Sequence, residues 1–198
     1  PGAAPPSSVG ATTTTVPLPA PSASARRCDP AAVATVPGEI TYDCYWVTVP
    51  ERRVGFDGDT LRLPVTVLHS PNPDASPVPL VFISGGPGGP GGSPDVWSRS
   101  PYLADRDVIV YDQRGTGAAE PNMDCPEVED AFVRMYRTTD PFVSEAAAMD
   151  EAMDACHDRL EEEGVDLSVF DTPESAADLA DLRVALGYDR WHLLGISY

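Results

Sequence analysis

The sequence predicts an α/β protein whose mostly parallel sheet begins with an antiparallel hairpin. Two early segments with strand character flank a glycine-containing turn. Three later apolar runs are separated by segments with helix character, and two of these runs lead directly into glycine-rich turns. Such an alternation of strands and helices favours parallel strands joined by right-handed crossovers.

The hairpin is predicted at residues 39–50 and 61–69, around a turn that contains Gly58. Its second strand places apolar side chains at every other position, as in a half-buried strand. These alternating residues are Leu61, Leu63, Val65 and Val67. Residues 71–79 are rich in proline and polar residues, so we expect a loop there.

The parallel strands are predicted at residues 80–83, 108–111 and 191–196. Each run is too short for a helix and apolar on both faces, as in the buried centre of a parallel sheet. We expect a helix at about residues 93–104, between the first two of these strands.

Residues 118–171 are predicted to be an insertion. Within it, residues 144–163 have the period of an amphipathic helix. Its expected apolar stripe is Met149, Met153, Cys156 and Leu160. The following core helix should begin with Thr172 as N-cap and Pro173 at the first helical position, and should end at Gly187. Its expected buried face is Ala176, Leu179, Leu182, Ala185 and Leu186.

Residues 1–27 are predicted to be a disordered leader, and residues 28–198 part of one folded domain. Residues 1–25 consist largely of Pro, Ala, Ser and Thr and are almost uncharged. They cannot bury enough apolar surface to offset the entropy lost on ordering. Such a segment is typical of the spacer that follows the signal peptide of an exported protein.

The formal net charge is −18, and all 13 basic residues are arginine. A chain this acidic repels nucleic acid and anionic membrane surfaces, so we expect neither as a partner. No apolar run approaches the ~20 residues that a membrane-spanning helix needs. We therefore expect no membrane span.

The four cysteines are Cys28, Cys44, Cys125 and Cys156. None forms a C-x-x-C pair, so we expect no metal site. Their even number behind a Pro/Thr/Ala-rich leader favours disulfides and an oxidising compartment. Four cysteines allow three pairings; we favour Cys28 with Cys44 and Cys125 with Cys156, because each closes a local loop. Four buried free thiols in a cytosolic protein are the alternative.

The glycine-rich stretch at residues 84–92 has two interpretations. From Gly86 it matches the G-x-G-x-x-G dinucleotide fingerprint, and Asp112 stands where a ribose-binding acid would. However, Pro87 and Pro90 each remove an N–H group that a pyrophosphate would need. A phosphate-binding loop of the Gly-Lys-Ser type is excluded, because the chain has no lysine. We therefore expect no cofactor.

The second interpretation is acyl transfer. Gly195 and Ser197 form the first half of the nucleophile elbow G-x-S-x-G at the end of a predicted strand. An attacked carbonyl needs two backbone N–H donors for its developing negative charge. We expect Tyr198 to supply one donor and Gly86 the other, with Gly85 as the alternative.

Four motifs in order resemble the α/β-hydrolase family of prolyl and tripeptidyl aminopeptidases, and most closely its exported bacterial branch. The resemblance covers about residues 40–198. The motifs are SGGPGG at 84–89, DQRGTG at 112–117, DLADLRVALG at 178–187 and LGISY at 194–198. One departure is that the family often has His where Ser84 stands.

The resemblance implies a secreted or cell-envelope serine peptidase, or an esterase, that acts on a peptide or small ester. It implies that Ser197 is the nucleophile and that Asp112 and Arg114 tie together the loop beneath the site. It also implies an Asp and a His after the elbow. His69, His157 and His192 do not fit that order.

We therefore expect these 198 residues to be the N-terminal part of a longer hydrolase. Alone they should be inactive and poorly soluble, because one edge of the sheet would be open. The missing C-terminal half of the same protein would then be their natural partner. A non-catalytic fragment or binding module is the alternative.

Overall fold

The computed structural model describes residues 16–86, 88–137 and 142–197. Six strands form one sheet: β1 Ser22–Ala25, β2 Tyr42–Pro50, β3 Thr60–Leu68, β4 Ser76–Ile83, β5 Arg106–Tyr111 and β6 His192–Gly195. Four α-helices accompany them: α1 Pro94–Ser98, α2 Pro126–Met135, α3 Phe142–Glu162 and α4 Thr172–Ala185. Two short 3-10 turns lie at Pro101–Ala104 and Leu167–Val169.

The strands lie in the order β1-β2-β3-β5-β4-β6. The pairs β1–β2, β2–β3 and β3–β5 are antiparallel, whereas β4 pairs in parallel with both β5 and β6. The predicted α/β fold with an antiparallel start is thus confirmed. Among the described strands, however, antiparallel pairs outnumber parallel ones.

Buried side chains form one apolar cluster on each face of the sheet. On one face, Val81 and Ile109 pack with Leu182 of α4. On the other, Leu80 and Val108 pack with Leu103 of the first 3-10 turn. Adjacent residues of β4 and β5 therefore point to opposite clusters. This explains why residues 80–83 and 108–111 of these strands form uninterrupted runs without charged side chains.

The start of the folded domain is earlier than predicted, because β1 lies within the expected leader. Ala23 pairs with Val47 of β2, and the Arg26 guanidinium lies 4.4 Å from the centre of the Trp46 ring. Strand addition at an edge uses main-chain hydrogen bonds, which side-chain composition does not reveal. Residues 1–15 of the predicted leader lie outside the described residues.

Both disulfides have the pairing that the sequence favours. Cys28 is bonded to Cys44 with a Cα–Cα distance of 5.3 Å, and Cys125 to Cys156 with 5.5 Å. The first joins the segment after β1 to β2. The second joins the start of α2 to α3, so the helical insertion has a covalent link of its own.

Two boundaries around the glycine loop differ from the prediction. Strand β4 begins at Ser76, inside the expected loop, because it also pairs at Ser76 with Arg106. The helix expected at residues 93–104 is split, with α1 ending at Ser98 and a 3-10 turn beginning at Pro101. Proline disfavours helical geometry in the residue before it, and Ser100 is extended with ψ 138°.

The helices of the insertion differ in two details from the expected pattern. Helix α2 was not predicted, and the buried stripe of α3 includes Ala152 in place of Met153, which is 57% exposed. Because α2 packs against one side of α3, the buried face of α3 is slightly rotated from the expected one. Helix α3 is 21 residues long but rich in acidic residues. None of the helices in the described ranges has the length and apolar character to cross a membrane.

The last helix and strand also differ from the expectation. The N-cap of α4 is Asp171 rather than Thr172, because its carboxylate accepts a hydrogen bond from the N–H of Glu174 at 2.8 Å. Ala176 is exposed instead of buried. Strand β6 was expected to be buried, but Leu193 is 54% exposed. Among the described strands β6 pairs with β4 alone, so it is a sheet edge.

His69 fixes the end of the sheet opposite the carboxyl ends of β4 and β5. Its Nδ1 and Nε2 atoms each lie 3.0 Å from a carboxylate oxygen, of Asp107 and Asp43 respectively. Partial burial lowers the pKa of His69, but hydrogen bonds to the two carboxylates outweigh it and raise the pKa above its ordinary value. When the ring is protonated, both of its nitrogen atoms can donate to these carboxylates.

His69 should make the stability of the protein depend on pH. The folded-state pKa lies above the unfolded value of about 6.5, so the stabilisation is complete below that pH and is lost as pH rises through the folded pKa. We expect His69→Gln to lower the thermal unfolding midpoint at pH 5.5 and to have a smaller effect at higher pH. His157→Gln, at an exposed site on α3, is the control. A deficit that stays constant across this pH range would contradict the assignment.

Candidate active site

The candidate site lies where the carboxyl ends of β4, β5 and β6 meet. In parallel strands these ends share one edge of the sheet, which is where ligands bind in open α/β folds. The glycine loop follows β4 directly, the DQRGTG motif follows β5, and Ser197 lies two residues after β6. The topology therefore brings the three sequence motifs to one edge.

Ser197 has a strained backbone and an exposed position. Its φ of 64° lies in the left-handed region, which a non-glycine residue adopts at a cost of about 1–3 kcal/mol. The hydrogen bond from the N–H of Ile196 to the carbonyl of Ile83, at 3.2 Å, holds the approach to this turn. A serine in a strained turn directly after a strand is the geometry of a nucleophile elbow.

Gly195, the first glycine of the elbow motif, is not the residue that makes the sharp turn. A Cβ atom built on Gly195 meets no heavy atom within 4 Å. The positive φ occurs at Ser197 instead. The turn is thus made by the serine itself, while Gly195 ends β6 opposite Ile83.

Gly86 occupies a position that requires glycine. Its φ is 137°, and a Cβ atom there would lie 2.9 Å from the backbone nitrogen of Gly89. The N–H of Gly89 donates to the carbonyl of Gly85 at 3.1 Å, which closes the turn. Pro87 and Tyr198 lie outside the described residues. The assignment of Gly86 and Tyr198 as oxyanion donors, with Gly85 as the alternative, therefore stays a prediction.

Asp112 joins the glycine loop to the DQRGTG turn. One carboxylate oxygen accepts from the N–H of Gly91 at 2.7 Å, and the other accepts from the N–H of Ala118 at 2.8 Å. A Cβ atom on Gly91 would lie 1.6 Å from the carbonyl oxygen of Tyr111, so these two backbone segments approach too closely for any side chain at Gly91. Asp112 is therefore turned toward two loops, which argues against a role in binding a ribose.

A second contact holds the start of the glycine loop. The side-chain amide of Gln113 donates to the carbonyl of Ser84 at 2.8 Å. Together with the bonds of Asp112, this fixes the loop after β4 against the loop after β5 at both of its ends.

A buried arginine lies beneath these loops. Arg114 donates from Nε and Nη2 to both carboxylate oxygens of Asp178 on α4, at 2.8 and 2.7 Å. Its remaining N–H groups donate to the carbonyls of Glu51, Val169 and Pro50. Bidentate pairing satisfies both ions in a site that water does not reach. Arg114 thus links β5 to α4 and to the end of β2.

Arg53 extends this ionic network toward the surface. It donates to Asp178 at 3.0 Å and also pairs with Glu174 and Asp181 of α4. Burial raises the pKa of Asp178 above its ordinary value, and the hydrogen bonds and charges of the two guanidinium groups oppose that rise. The carboxylate accepts three hydrogen bonds from cations, which favours its ionised form.

Ser197 and the loops after β4 and β5 line one cleft of about 680 Å³. This is within the usual range of about 300–1,000 Å³ for sites that bind small molecules. The lining combines apolar and polar side chains, among them Ser84, Gln113, Met123, Phe170, Asp171 and Ser197.

Two groups of potential metal ligands occur among the described residues. Glu51, Asp57 and Asp59 lie close together at the loop between β2 and β3. The other group is Cys125, Glu127 and Cys156, but its sulfur atoms are bonded to each other. Neither group lines the cleft.

Comparison with known proteins places this geometry in a family. The family model described as the alpha/beta hydrolase fold matches residues 78–198, which include the glycine loop and Ser197. The chain belongs to the α/β-hydrolase family. This α/β hydrolase is 31% identical over 167 residues to a tripeptidyl aminopeptidase of Streptomyces coelicolor, and 30% identical over 171 residues to one of Streptomyces lividans. Each match covers 78% of this chain and 30% of the relative, so the chain spans about a third of their length.

None of the three histidines of this α/β hydrolase is among the residues that line the cleft with Ser197. His69 is at the opposite end of the sheet, and His157 is on the exposed side of α3. His192 pairs with Leu80 at the start of β6. Four residues, three of them in β6, separate His192 from Ser197 along the chain.

Sequence reasoning missed the acidic half of the ionic network and part of the cleft. Glu174, Asp178 and Asp181 are spaced by four and three residues, which places them on one face of a helix. That spacing was a usable signal for a cation-binding face. Met123 and Phe170 gave no such signal, because they come from the insertion, whose path over the cleft depends on its tertiary packing.

Removing Arg114 should destabilise the α/β hydrolase far more than removing a surface arginine. Arg114→Met leaves Asp178 buried with Arg53 as its remaining cationic partner, so we expect a loss of about 3–5 kcal/mol in the free energy of unfolding. Arg99→Met, which removes an exposed pair with Asp95 and a hydrogen bond to the carbonyl of Thr35, should cost far less. Urea denaturation followed by circular dichroism measures both. Equal losses would contradict the importance assigned to the buried pair.

Proposed function

We propose that the protein is a serine hydrolase in which Ser197 is the nucleophile. The observation that carries this proposal is the strained, exposed backbone of Ser197, directly after β6 and in the same cleft as the glycine loop. Strain of this kind persists only where the surroundings impose it, and it is concentrated at functional sites. Membership of the α/β-hydrolase family supports the same assignment.

The proposed reaction proceeds through an acyl-enzyme. Ser197 Oγ attacks the carbonyl carbon of the substrate while a general base takes the hydroxyl proton. The tetrahedral intermediate collapses when the bond to the leaving amine breaks, and the protonated base returns its proton to that amine. Water then attacks the ester carbonyl with the help of the same base, which releases the acid and restores Ser197.

The negative charge on the carbonyl oxygen would be held by two backbone N–H groups. We assign them to Tyr198, the residue after the nucleophile, and to Gly86, with Gly85 as the alternative. The position of Gly86 supports this choice, because it lies in a closed turn that admits no side chain. Removing one such donor costs about 2.7–4 kcal/mol in the cases measured.

The general base and its partner carboxylate are proposed to come from sequence that follows residue 198. None of the three histidines of these 198 residues lines the cleft that contains Ser197. The curated relatives are about three times as long as the segment that they share with this chain. The usual order in this fold places the acid and the histidine after the serine.

We propose that the substrates are peptides with a free N-terminus and that the protein is exported. The names of both relatives, tripeptidyl aminopeptidase, support the substrate class. Two disulfides support an oxidising compartment, since such bonds are rare in the cytosol.

A fluorophosphonate probe tests the assignment of the nucleophile. We expect the full-length gene product to be labelled at Ser197, and Ser197→Ala to abolish labelling. Ser175→Ala is the matched control, because Ser175 lines the same cleft but is part of helix α4. It should leave labelling unchanged.

Labelling that survives in Ser197→Ala would overturn the proposal, and so would the absence of labelling, which a binding module would give. Turnover of a tripeptidyl amide compared with that of a short-chain ester separates peptidase from esterase. The proposed function predicts the greater kcat/KM for the amide.

A further inference from the structure

The cleft beside Ser197 has an uneven distribution of charge. Among the described residues that line it, two carry a formal charge, Arg114 and Asp171. Their availability to a ligand differs. The Arg114 side chain is 1% exposed, whereas Asp171 is exposed.

Arg114 has no hydrogen-bonding capacity left for a ligand. A guanidinium has five N–H donors. In Arg114, one bond from Nε, two from Nη1 and two from Nη2 use all of them. Its positive charge is paired with Asp178 by two of these bonds. The arginine therefore supports the cleft without presenting a cation to it.

Asp171 has the opposite character. Its Oδ1 accepts the N-cap hydrogen bond from the N–H of Glu174 at 2.8 Å, which fixes the orientation of the carboxylate. Among the described residues, its Oδ2 has no hydrogen-bond partner, and no cation lies within 4.0 Å of it. The cleft thus holds one oriented, unneutralised negative charge.

We propose that Asp171 binds the α-ammonium group of a peptide substrate in this cleft and so selects free N-termini. This inference rests on the proposed function and adds the residue that sets its specificity. The α-amino group has a pKa of about 7.7–8.0, so it is a cation at neutral pH. A carboxylate in a partly enclosed cleft attracts such a group more strongly than one in open water.

The remainder of the protein favours the same choice of ligand. The net charge of −18 produces a field that draws cations toward the surface and repels anions. The neighbouring cleft residues Thr172 and Ser175 have hydroxyl groups but no charge. An ammonium in the cleft would therefore meet Asp171 as its charged partner.

Asp171→Asn gives a selective test, because asparagine is as good an N-cap as aspartate but has no charge. We measure kcat/KM of the full-length protein for a tripeptidyl amide and for the same substrate with an acetylated N-terminus. We expect the variant to lose about tenfold or more on the free amine, through KM, and to be unchanged on the acetylated substrate. Asp166→Asn is the matched control, because Asp166 is the N-cap of the 3-10 turn Leu167–Val169 and lies outside the cleft.

Binding provides a readout that does not depend on turnover. Calorimetric titration of Ser197→Ala with trialanine and N-acetyl-trialanine should show a preference for the free amine. Adding Asp171→Asn should remove that preference. In Ser197→Ala with Asp171 intact, the preference should also decrease as pH rises above about 8, where the ammonium loses its proton.

Equal binding of the two peptides by Ser197→Ala would overturn the inference, as would an equal loss for both substrates in Asp171→Asn. Tighter binding of an anionic ligand by Asp171→Asn, with no effect on amines, would show instead that the start of α4 is an anion site. Fluorophosphonate labelling of Asp171→Asn at the wild-type rate separates this failure from a failure of the serine mechanism.

Discussion

The buried ion pair between Arg114 and Asp178 is the interaction on which the candidate site depends. It joins the loop after β5 to α4, and its other hydrogen bonds reach the end of β2 and the residue before Phe170. Two charges withdrawn from water are costly unless every donor and acceptor is satisfied. All five N–H groups of Arg114 and both carboxylate oxygens of Asp178 are hydrogen-bonded, so the pair specifies one arrangement of β2, α4 and the loop after β5. That arrangement brings Phe170 and Asp171 to the cleft that contains Ser197.

The close approach of the loops after β4 and β5 is the second constraint. Gly91 lies against the carbonyl of Tyr111, and Asp112 bonds the glycine loop to the following turn. These contacts show that the loop needs glycine at Gly91 because the backbones pack so closely. A bound nucleotide would instead need free N–H groups, and the N–H of Gly91 is donated to Asp112. The glycine loop and the strained serine line one cleft, as the proposed pair of oxyanion donors would require.

The sequence predicts the central strands well, because burial on both faces leaves an uninterrupted apolar run such as residues 80–83. It also predicts the disulfide pairs, since both close local loops. It fails at β1, whose Ser and Ala side chains carry no signal for edge pairing, and at Met153, whose burial depends on where α2 packs. The motif order indicates Ser197 and the strained elbow at that residue, but the positions of Phe170 and of the charged Asp171 in the cleft are tertiary facts. Local periodicity cannot contain them.

The most direct measurement is a crystal structure of the full-length protein after reaction with a fluorophosphonate. The account predicts a covalent bond from phosphorus to Ser197 Oγ. It also predicts that the phosphoryl oxygen lies about 2.7–3.1 Å from the backbone nitrogen atoms of Gly86 and Tyr198. A phosphoryl oxygen that points away from the glycine loop, or an adduct on another residue with Ser197 unmodified, would contradict it.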